Sequence, residues 1–451
     1  MVKIAYQKIE SFTRRLTLKE SFVSYVFTLM AGTAASGILN GAIMPILSRS
    51  YTPEHFGILS MFTAVVSMLA IWAAWRYELA IVLPEKQEDA ISLIKLSFMI
   101  VLLMSFSFLL GVVALGTRLT HLFNISYINF CLIFIPASIC CAGFFNVLFY
   151  WCSRNKRFDK ISIAKVVQTI VTLGSQITAF LTLKAGAGGL IAGYILGQIS
   201  GMGVLLTQTK GTHLWKHSAF KLRSMARHYS DFPKLASLGA FFDTAAAQLP
   251  LVLIPALYSP HIGGIYAITD RLMRIPTSFI GSSVGQVFYQ RLAQFKNNPQ
   301  ERRRLILNTW KYLFILGLGP LLLVILFGPA ILTFFLGSNW PEAGHFARIL
   351  AVGFLFQFVA SSTSLGIVAL ERLDILFLWQ LLNFFSMGGV FLLSFLFFPN
   401  EIVSFLWMWS CKEAVIYLIY MWALLRSHKF RDQRQGNLKN GSMPIEGEIG
   451  L

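Results

Sequence analysis

Six ionisable side chains lie deep within long apolar segments, where a charge is costly if those segments span a membrane. They are Asp243, Asp270, Arg271, Arg274, Lys412 and Glu413. An ionisable group at the centre of a bilayer costs about 2.5–3.5 kcal/mol even on a lenient insertion scale. Six such groups facing lipid would cost roughly 15–20 kcal/mol together. The sequence therefore predicts a polar interior that receives these groups.

The cations among the apolar segments fall into two tiers by depth. With a rise of 1.5 Å per residue, Arg271 and Arg274 are expected roughly 12–17 Å below one membrane face. Arg76 and Lys311 lie near the ends of their segments at the opposite face. An interior lined in this way would attract a phosphate or pyrophosphate, and an arginine fork can bind two of its oxygens. We therefore predict substrate binding by Arg271, Arg274, Arg76, Lys311 and Lys412.

Two carboxylates in the second half of the chain are candidates for coupling transport to an ion. Asp243 and Asp270 are placed where either could exchange a proton or hold Na⁺. Alternatives remain open for several of these charges. Asp270 and Arg274 are one helical turn apart and could simply neutralise each other. Lysines at helix ends can extend their ammonium groups to the lipid headgroups.

The elements that must position these groups are apolar helices. Only 13% of the residues are charged, against about 25% in soluble globular proteins. About 20 consecutive apolar residues span a bilayer as a helix. Twelve spans are predicted, and they cover residues 22–47, 57–82, 92–115, 128–151, 161–183, 188–209, 234–257, 263–289, 305–328, 344–370, 375–397 and 402–425.

Basic residues between the spans predict the orientation of the protein. Twenty-seven Lys and Arg residues fall on the side of the two termini, and three on the opposite side. Because basic residues gather in cytoplasmic loops, both termini are predicted to be cytoplasmic, in a bacterial inner membrane. The same bias accounts for the net charge of +18. No nucleic-acid-binding module is recognisable, so nucleic acid is not a predicted partner.

A weak internal repeat predicts two parallel halves. Residues 51–53 (YTP) match 258–260 (YSP) at an offset of 207, and 157–159 (RFD) match 372–374 (RLD) at an offset of 215. Both matches fall at equivalent turns of a six-span unit. The prediction is an all-α polytopic protein of about 12 transmembrane helices, in two six-helix lobes related by pseudo-two-fold symmetry along the membrane normal.

The predicted organisation has five parts. They are a cytoplasmic segment (1–20), an N-terminal lobe (21–209), a basic cytoplasmic loop (210–233), a C-terminal lobe (234–426) and a polar cytoplasmic tail (427–451). Within the first lobe, Gly193, Gly197 and Gly201 form a doubled GxxxG pattern. Small residues at this spacing let two helices approach closely, so these glycines are predicted to pack against a neighbouring helix.

Signatures of catalysis were not found. The chain has no GxxxxGK[ST], HExxH or CxxC pattern, and each of these would indicate a specific chemistry. The predicted outer loops are also too short to build a sugar-processing site. We therefore expect no enzyme activity, no cofactor and no metal site.

Four stretches resemble a known family of membrane proteins. They are PILSRSYTPEHFGILSMF (45–62), RYELAIVLPEKQEDA (76–90), the segment from YSDFPKLASLGAFF to YAITDRL (229–272), and FGPAILTFFLGSNWPEAG (327–344). Together they are similar to the polysaccharide-biosynthesis (Wzx-type, O-antigen) flippases of the multidrug/oligosaccharidyl-lipid/polysaccharide exporter superfamily. The family has no invariant short site motif, so the resemblance transfers no binding residue.

The resemblance implies a function that the charges alone do not. Such proteins move undecaprenyl-pyrophosphate-linked oligosaccharide, such as the O-antigen of lipopolysaccharide, across the inner membrane by alternating access driven by H⁺ or Na⁺. Membrane lipids are implied partners, and a polysaccharide polymerase and a chain-length regulator are further candidates. The alternative is a cation-coupled small-molecule or multidrug antiporter of the same fold. Arginines dominate at mid-depth, which favours an anionic headgroup over a drug.

Overall fold

A computed structural model describes residues 28–29, 31–122, 132–209, 220–275, 277–295, 298–370 and 372–426. The predicted terminal segments, 1–20 and 427–451, lie outside these ranges, as does the first part of the basic loop. Within them the chain forms helices and no strands. Eleven helices in these ranges are long and apolar enough to cross a membrane. A helix satisfies its own backbone hydrogen bonds, which lipid cannot do. The prediction of an all-α polytopic membrane protein is confirmed.

The described residues of Met1–Ile268, together with Thr333–Trp340, form one of two compact units, called unit 1. Fully buried apolar side chains, among them Phe62, Leu93 and Ile139, pack at its centre. The helices that begin in unit 1 are α1 (Ala31–Ser50), α2 (Pro53–Ala70), α3 (Tyr77–Ala80), α4 (Gln87–Leu122), α5 (Phe134–Arg154), α6 (Phe158–Leu183), α7 (Ala187–Leu206), α8 (Phe220–His228), α9 (Ser237–Leu257) and α10 (Pro260–Met273).

The doubled GxxxG pattern packs as predicted. A side chain at Gly193 would collide with Gln176 of α6, and one at Gly197 would collide with Thr172. At Gly201 a Cβ atom would lie 3.1 Å from the Cβ of Gln168 on the same helix. The three glycines therefore bring α7 against the backbone of α6, which confirms their role in helix packing.

The described residues of Thr269–Leu332 and Pro341–Leu451 form the second compact unit, called unit 2. Its buried core includes Phe358 and Trp310, whose indole Nε1 donates to Thr363 Oγ1 at 3.1 Å. The helices that begin in unit 2 are α11 (Ser282–Gln294), α12 (Pro299–Leu336), α13 (Pro341–Ser361), α14 (Leu365–Ala369), α15 (Leu373–Phe397) and α16 (Ile402–Arg426). The predicted lobe boundaries at 209 and 234 are not tested by this division, and they stay a prediction.

Two of the predicted spans are interrupted. The span predicted at 263–289 consists of α10, a π-helical turn at Thr277–Gly281 and α11. Neither of its two α-helices is long enough to cross a bilayer alone. The span predicted at 57–82 ends at Ala70, and irregular turns connect it to the short helix α3. The hydropathy of these segments predicted where apolar chain lies but did not locate the breaks.

The internal repeat appears in unit 1 as a symmetric crossing of α2 and α10 near their first turns. A side chain at Gly57 would collide with the carbonyl of Pro260, and one at Gly264 would collide with the carbonyl of Pro53. Both glycines and both prolines are 207 positions apart, which is the offset predicted from the sequence. Each glycine thus admits the backbone of the other copy.

The same offset relates two charged side chains in this crossing. Glu54 and His261 are 207 residues apart, and His261 Nδ1 lies 2.6 Å from Glu54 Oε1. Residues related by a two-fold axis can touch each other only near that axis. This crossing therefore supports the predicted pseudo-two-fold relationship for the first helix pair of each half.

The first helix also caps the end of α12 within unit 1. Arg49 Nη2 donates to the carbonyl of Phe334 at 2.9 Å, and Ser48 Oγ donates to the carbonyl of Leu336 at 2.7 Å. Trp340 Nε1 in turn donates to the carbonyl of Ser48 at 2.8 Å. A cation at a helix C-terminus satisfies unpaired carbonyls and opposes the helix dipole. The contacts join two of the stretches on which the family resemblance depends.

The close approach of α2 and α10 predicts that a side chain at Gly264 lowers the stability of the protein. Gly264→Ala is expected to lower the free energy of unfolding by about 1–3 kcal/mol, because its methyl group must displace the Pro53 carbonyl. Gly174→Ala is the matched control, since a side chain at Gly174 meets nothing within 4 Å. The control should be neutral or slightly stabilising. Thermal unfolding of both purified variants in detergent measures the difference, and equal midpoints would contradict the crossing.

Candidate functional site

The deepest predicted cations lie where the interrupted span breaks. Arg271 is in the last turn of α10, and Arg274 follows the end of that helix. Pro276, two residues later in the sequence, has no amide hydrogen to continue a helix. The exposed carbonyls of a helix C-terminus carry partial negative charge, and cations are favoured there. The helix C-terminus at the break therefore favours a cation at both arginine positions.

The two arginines of the break have different surroundings in unit 2. Arg274 Nε donates to Asp270 Oδ2 at 2.8 Å, and its guanidinium lies 5.5 Å from the centre of the Phe354 ring. Asp270 itself is buried, with a relative exposure of 7%. Arg271 is exposed. Of the alternatives left open by the sequence, the ion pair between Asp270 and Arg274 is formed.

A second charged group lies in unit 1, at the irregular connection after α2. Trp75 and Arg76 both have positive φ angles, 48° and 60°. Non-glycine residues adopt this left-handed conformation rarely and at a cost, often at functional sites. Here it brings Arg76 Nη1 to 3.8 Å from Glu78 Oε1. The exposed carboxylate of Asp243 on α9 also lies within electrostatic range of Arg76.

Glu78 is the least expected member of this group. Its exposure is 4%, and among the described residues no hydrogen-bond partner contacts its Oε2 atom. Glu78 lies at the predicted end of a span, where a carboxylate is ordinary, so its position in the sequence did not mark it as a site residue.

The two predicted lysines have unlike environments. Lys311 is exposed on α12. Lys412 is buried on α16, where its Nζ donates to Asn383 Oδ1 at 2.7 Å and to Glu413 Oε1 at 2.8 Å. The Lys412 charge is therefore balanced inside unit 2 by a neighbour and an amide from α15. These contacts are those of a buried ion pair, and substrate binding by Lys412 stays a prediction.

The described residues were also compared with the side-chain groups that bind metal ions. Within the described ranges no group of three His, Cys, Asp or Glu side chains is placed to hold a metal ion. In unit 2 Arg274 pairs with Asp270, and Arg271 follows Asp270 on the same helix. In unit 1 Asp243 lies within electrostatic range of Arg76. Two guanidinium groups and one carboxylate at the break favour an anionic ligand.

Comparison with known proteins identifies the family. The model of a family described as polysaccharide biosynthesis protein matches residues 46–345, which is most of the chain. The chain belongs to this polysaccharide biosynthesis family. The match includes the turn between α1 and α2, the residues of both charged clusters and the segment that contacts the end of α12. It confirms the resemblance drawn from the four sequence stretches. A comparison with curated proteins finds no match.

Solved structures of similar fold are membrane transporters. The lipid II flippase MurJ, in an inward closed conformation, aligns with a TM-score of 0.68 at 10% identity, covering 94% of each chain. An inward-facing multidrug resistance MATE family transporter of the MOP superfamily aligns with a TM-score of 0.66 at 14% identity, covering 92% of this chain and 96% of that chain. At these identities the likeness establishes the fold: this member of the polysaccharide biosynthesis family is a multi-pass membrane protein with a transporter fold.

Proposed function

We propose that this protein is a flippase for undecaprenyl-pyrophosphate-linked oligosaccharide, such as an O-antigen repeat unit of lipopolysaccharide. The substrate would cross the bacterial inner membrane by ion-coupled alternating access, with both protein termini in the cytoplasm. One observation carries the proposal: an exposed arginine, Arg271, stands beside Arg274 at a helix break within a polysaccharide-biosynthesis chain. A polysaccharide polymerase and a chain-length regulator are proposed protein partners.

The physical argument concerns the pyrophosphate. An ionised group that enters hydrocarbon without compensating partners faces a prohibitive loss of hydration. Fixed guanidinium groups replace that hydration with charge-assisted hydrogen bonds, and they stay charged at any physiological pH. Arg271 and Arg274 are three residues apart, so both can reach one ligand. Arg76 and Lys311 remain candidates for the shallower contacts of the same headgroup.

A second candidate function is antiport of small cationic molecules or drugs. The similarity of fold to a multidrug resistance MATE transporter favours it. The charges argue against it, because the cluster of Asp270, Arg271 and Arg274 has a net positive charge and would repel a cation. The family match to polysaccharide biosynthesis also favours a glycan substrate.

Depletion of the protein in its own bacterium tests the proposed substrate. We expect surface polysaccharide to fall and its lipid-linked precursor to accumulate in the cytoplasmic leaflet, where periplasmic glycan-processing enzymes cannot reach it. Re-expression should restore export. If drug efflux falls while polysaccharide export continues unchanged, the antiporter is the correct assignment.

For ion coupling we propose Asp243 rather than Asp270 as the stronger candidate. Asp243 is exposed and lies in the field of Arg76, whereas Asp270 is committed to Arg274. Asp243→Asn should therefore abolish accumulation against a gradient while protein level stays normal. Asp270→Asn should instead act through Arg274, by weakening pyrophosphate binding. Export is scored with and without an imposed H⁺ or Na⁺ gradient, and gradient-dependent export by both variants at the wild-type rate would exclude coupling through either residue.

A further inference from the structure

An apolar cavity of about 200 Å³ lies in unit 2, directly beside the helix break. Leu272 and Thr277 line it from the broken span, Pro320 and Val324 from α12, and Phe354 from α13. The walls are almost entirely hydrocarbon. A cavity of about 150 Å³ with such a lining stays dry and binds benzene. This one is therefore suited to a short stretch of hydrocarbon.

The cavity and the arginines share structural elements. Leu272, a wall residue, lies between Arg271 and Arg274 in the sequence, and Phe354, another wall residue, supports the Arg274 guanidinium at 5.5 Å. Asp270, Arg271 and Arg274, called the charged rim, lie within one helical turn of each other along the sequence and comprise two guanidinium groups and one carboxylate. The Arg274 guanidinium is separated from the apolar pocket by about one aromatic ring. The combination matches a ligand whose anionic group is joined directly to hydrocarbon.

We propose that this cavity binds the part of the polyprenyl chain next to the pyrophosphate, while Arg271 and Arg274 hold the pyrophosphate. The inference rests on the proposed function and adds a site for the lipid part of the same substrate. In a prenyl diphosphate the phosphate is esterified to the first carbon of the chain, so charge and hydrocarbon are adjacent. In a phospholipid the glycerol backbone separates phosphate from acyl chains. The short spacing between rim and cavity therefore favours the prenyl diphosphate.

The test uses the full-length protein in phosphatidylcholine nanodiscs and a farnesyl diphosphate analogue with a diazirine on its second isoprene unit. Labelled peptides should come from residues 272–281, 316–324 or 351–358. Val324→Trp places an indole in the cavity and should lower labelling by about tenfold or more, because several methylene groups lose their burial site. Leu322→Trp is the matched control, since Leu322 is exposed, does not line the cavity and lies on the opposite face of α12 by helical periodicity. It should label within twofold of the wild type.

Three outcomes would overturn the inference. They are labelling that persists in Val324→Trp, labelling at other peptides, and competition by phosphatidic acid as effective as that by unlabelled farnesyl diphosphate. If Val324→Trp is not monodisperse, Val324→Phe replaces it. A different result would reject the proposed function itself. That result is normal export by Arg271→Ala, whatever the labelling shows. Conversely, loss of export in Arg271→Ala with no farnesyl labelling would retain the flippase and reject this cavity.

Discussion

Arg271→Ala is expected to abolish polysaccharide export while the protein remains in the membrane at its normal level. Arg271 is exposed at the end of α10, so truncating its side chain removes little packed core. What is lost is a fixed charge that would replace the hydration of the translocating pyrophosphate. Loss of a charge-assisted contact of about 1.5–3 kcal/mol corresponds to a roughly 10- to 150-fold weaker interaction.

Substitutions of Arg271 distinguish the effect of its positive charge from the effect of the guanidinium geometry. Arg271→Lys should retain part of the export, because it keeps the charge and loses the fork that reaches two oxygens. Arg291→Ala is the control, since Arg291 is an exposed basic residue on α11, at the far end of the same interrupted span. Complementation is scored together with immunoblots of the membrane fraction. Full export by a stably inserted Arg271→Ala protein would return Arg271 to a structural role.

Lys412→Met is expected to destabilise unit 2 by about 3–5 kcal/mol, because it leaves the buried Glu413 carboxylate without its cation. Lys412 and Glu413 have side-chain exposures of only 7% and 8%. The double variant Lys412→Met, Glu413→Leu should recover most of this loss, since it removes both charges together. Lys311→Met, at an exposed position of α12, is the control and should change stability by less than about 1 kcal/mol.

The double variant also decides what Lys412 does. Thermal unfolding in detergent and export by complementation are measured on the same set of proteins. A structural ion pair predicts that the double variant unfolds near the wild-type temperature and exports normally. A stable double variant that no longer exports would assign Lys412 to substrate binding, as the sequence analysis first predicted.

Hydropathy and the short repeat predicted the architecture because both depend on local sequence. Apolar runs define spans wherever lipid is the solvent. The match between 51–53 and 258–260 adjoins the crossing of α2 and α10, where Gly57 and Gly264 allow the two backbones to approach closely. Pro276 within the span predicted at 263–289 indicates a kink there, since proline cannot continue a helix. Hydropathy alone does not register the loss of one backbone hydrogen bond.

Contacts between helices could not be predicted from the sequence. Sequence position predicts how deep a side chain lies, but not which neighbouring helix it meets. Depth alone placed Lys412 among the substrate-binding cations, whereas its actual partners are Glu413 and Asn383. Likewise the approach of Asp243 to Arg76 depends on a left-handed turn at Trp75 and Arg76. The spacing of Asp270 and Arg274 within one helical turn could be predicted, and that ion pair is formed.

Reconstitution tests the proposed function most directly. The purified protein is placed in liposomes whose inner leaflet contains a fluorescent undecaprenyl-pyrophosphate oligosaccharide, and an H⁺ or Na⁺ gradient is imposed. Arrival of the label in the outer leaflet is followed by quenching with a reductant that cannot cross the membrane. We predict gradient-dependent arrival with the wild-type protein and Arg291→Ala, and a rate equal to that of empty liposomes with Arg271→Ala. Equal rates for the wild type and empty liposomes, or for the wild type and Arg271→Ala, would contradict the account.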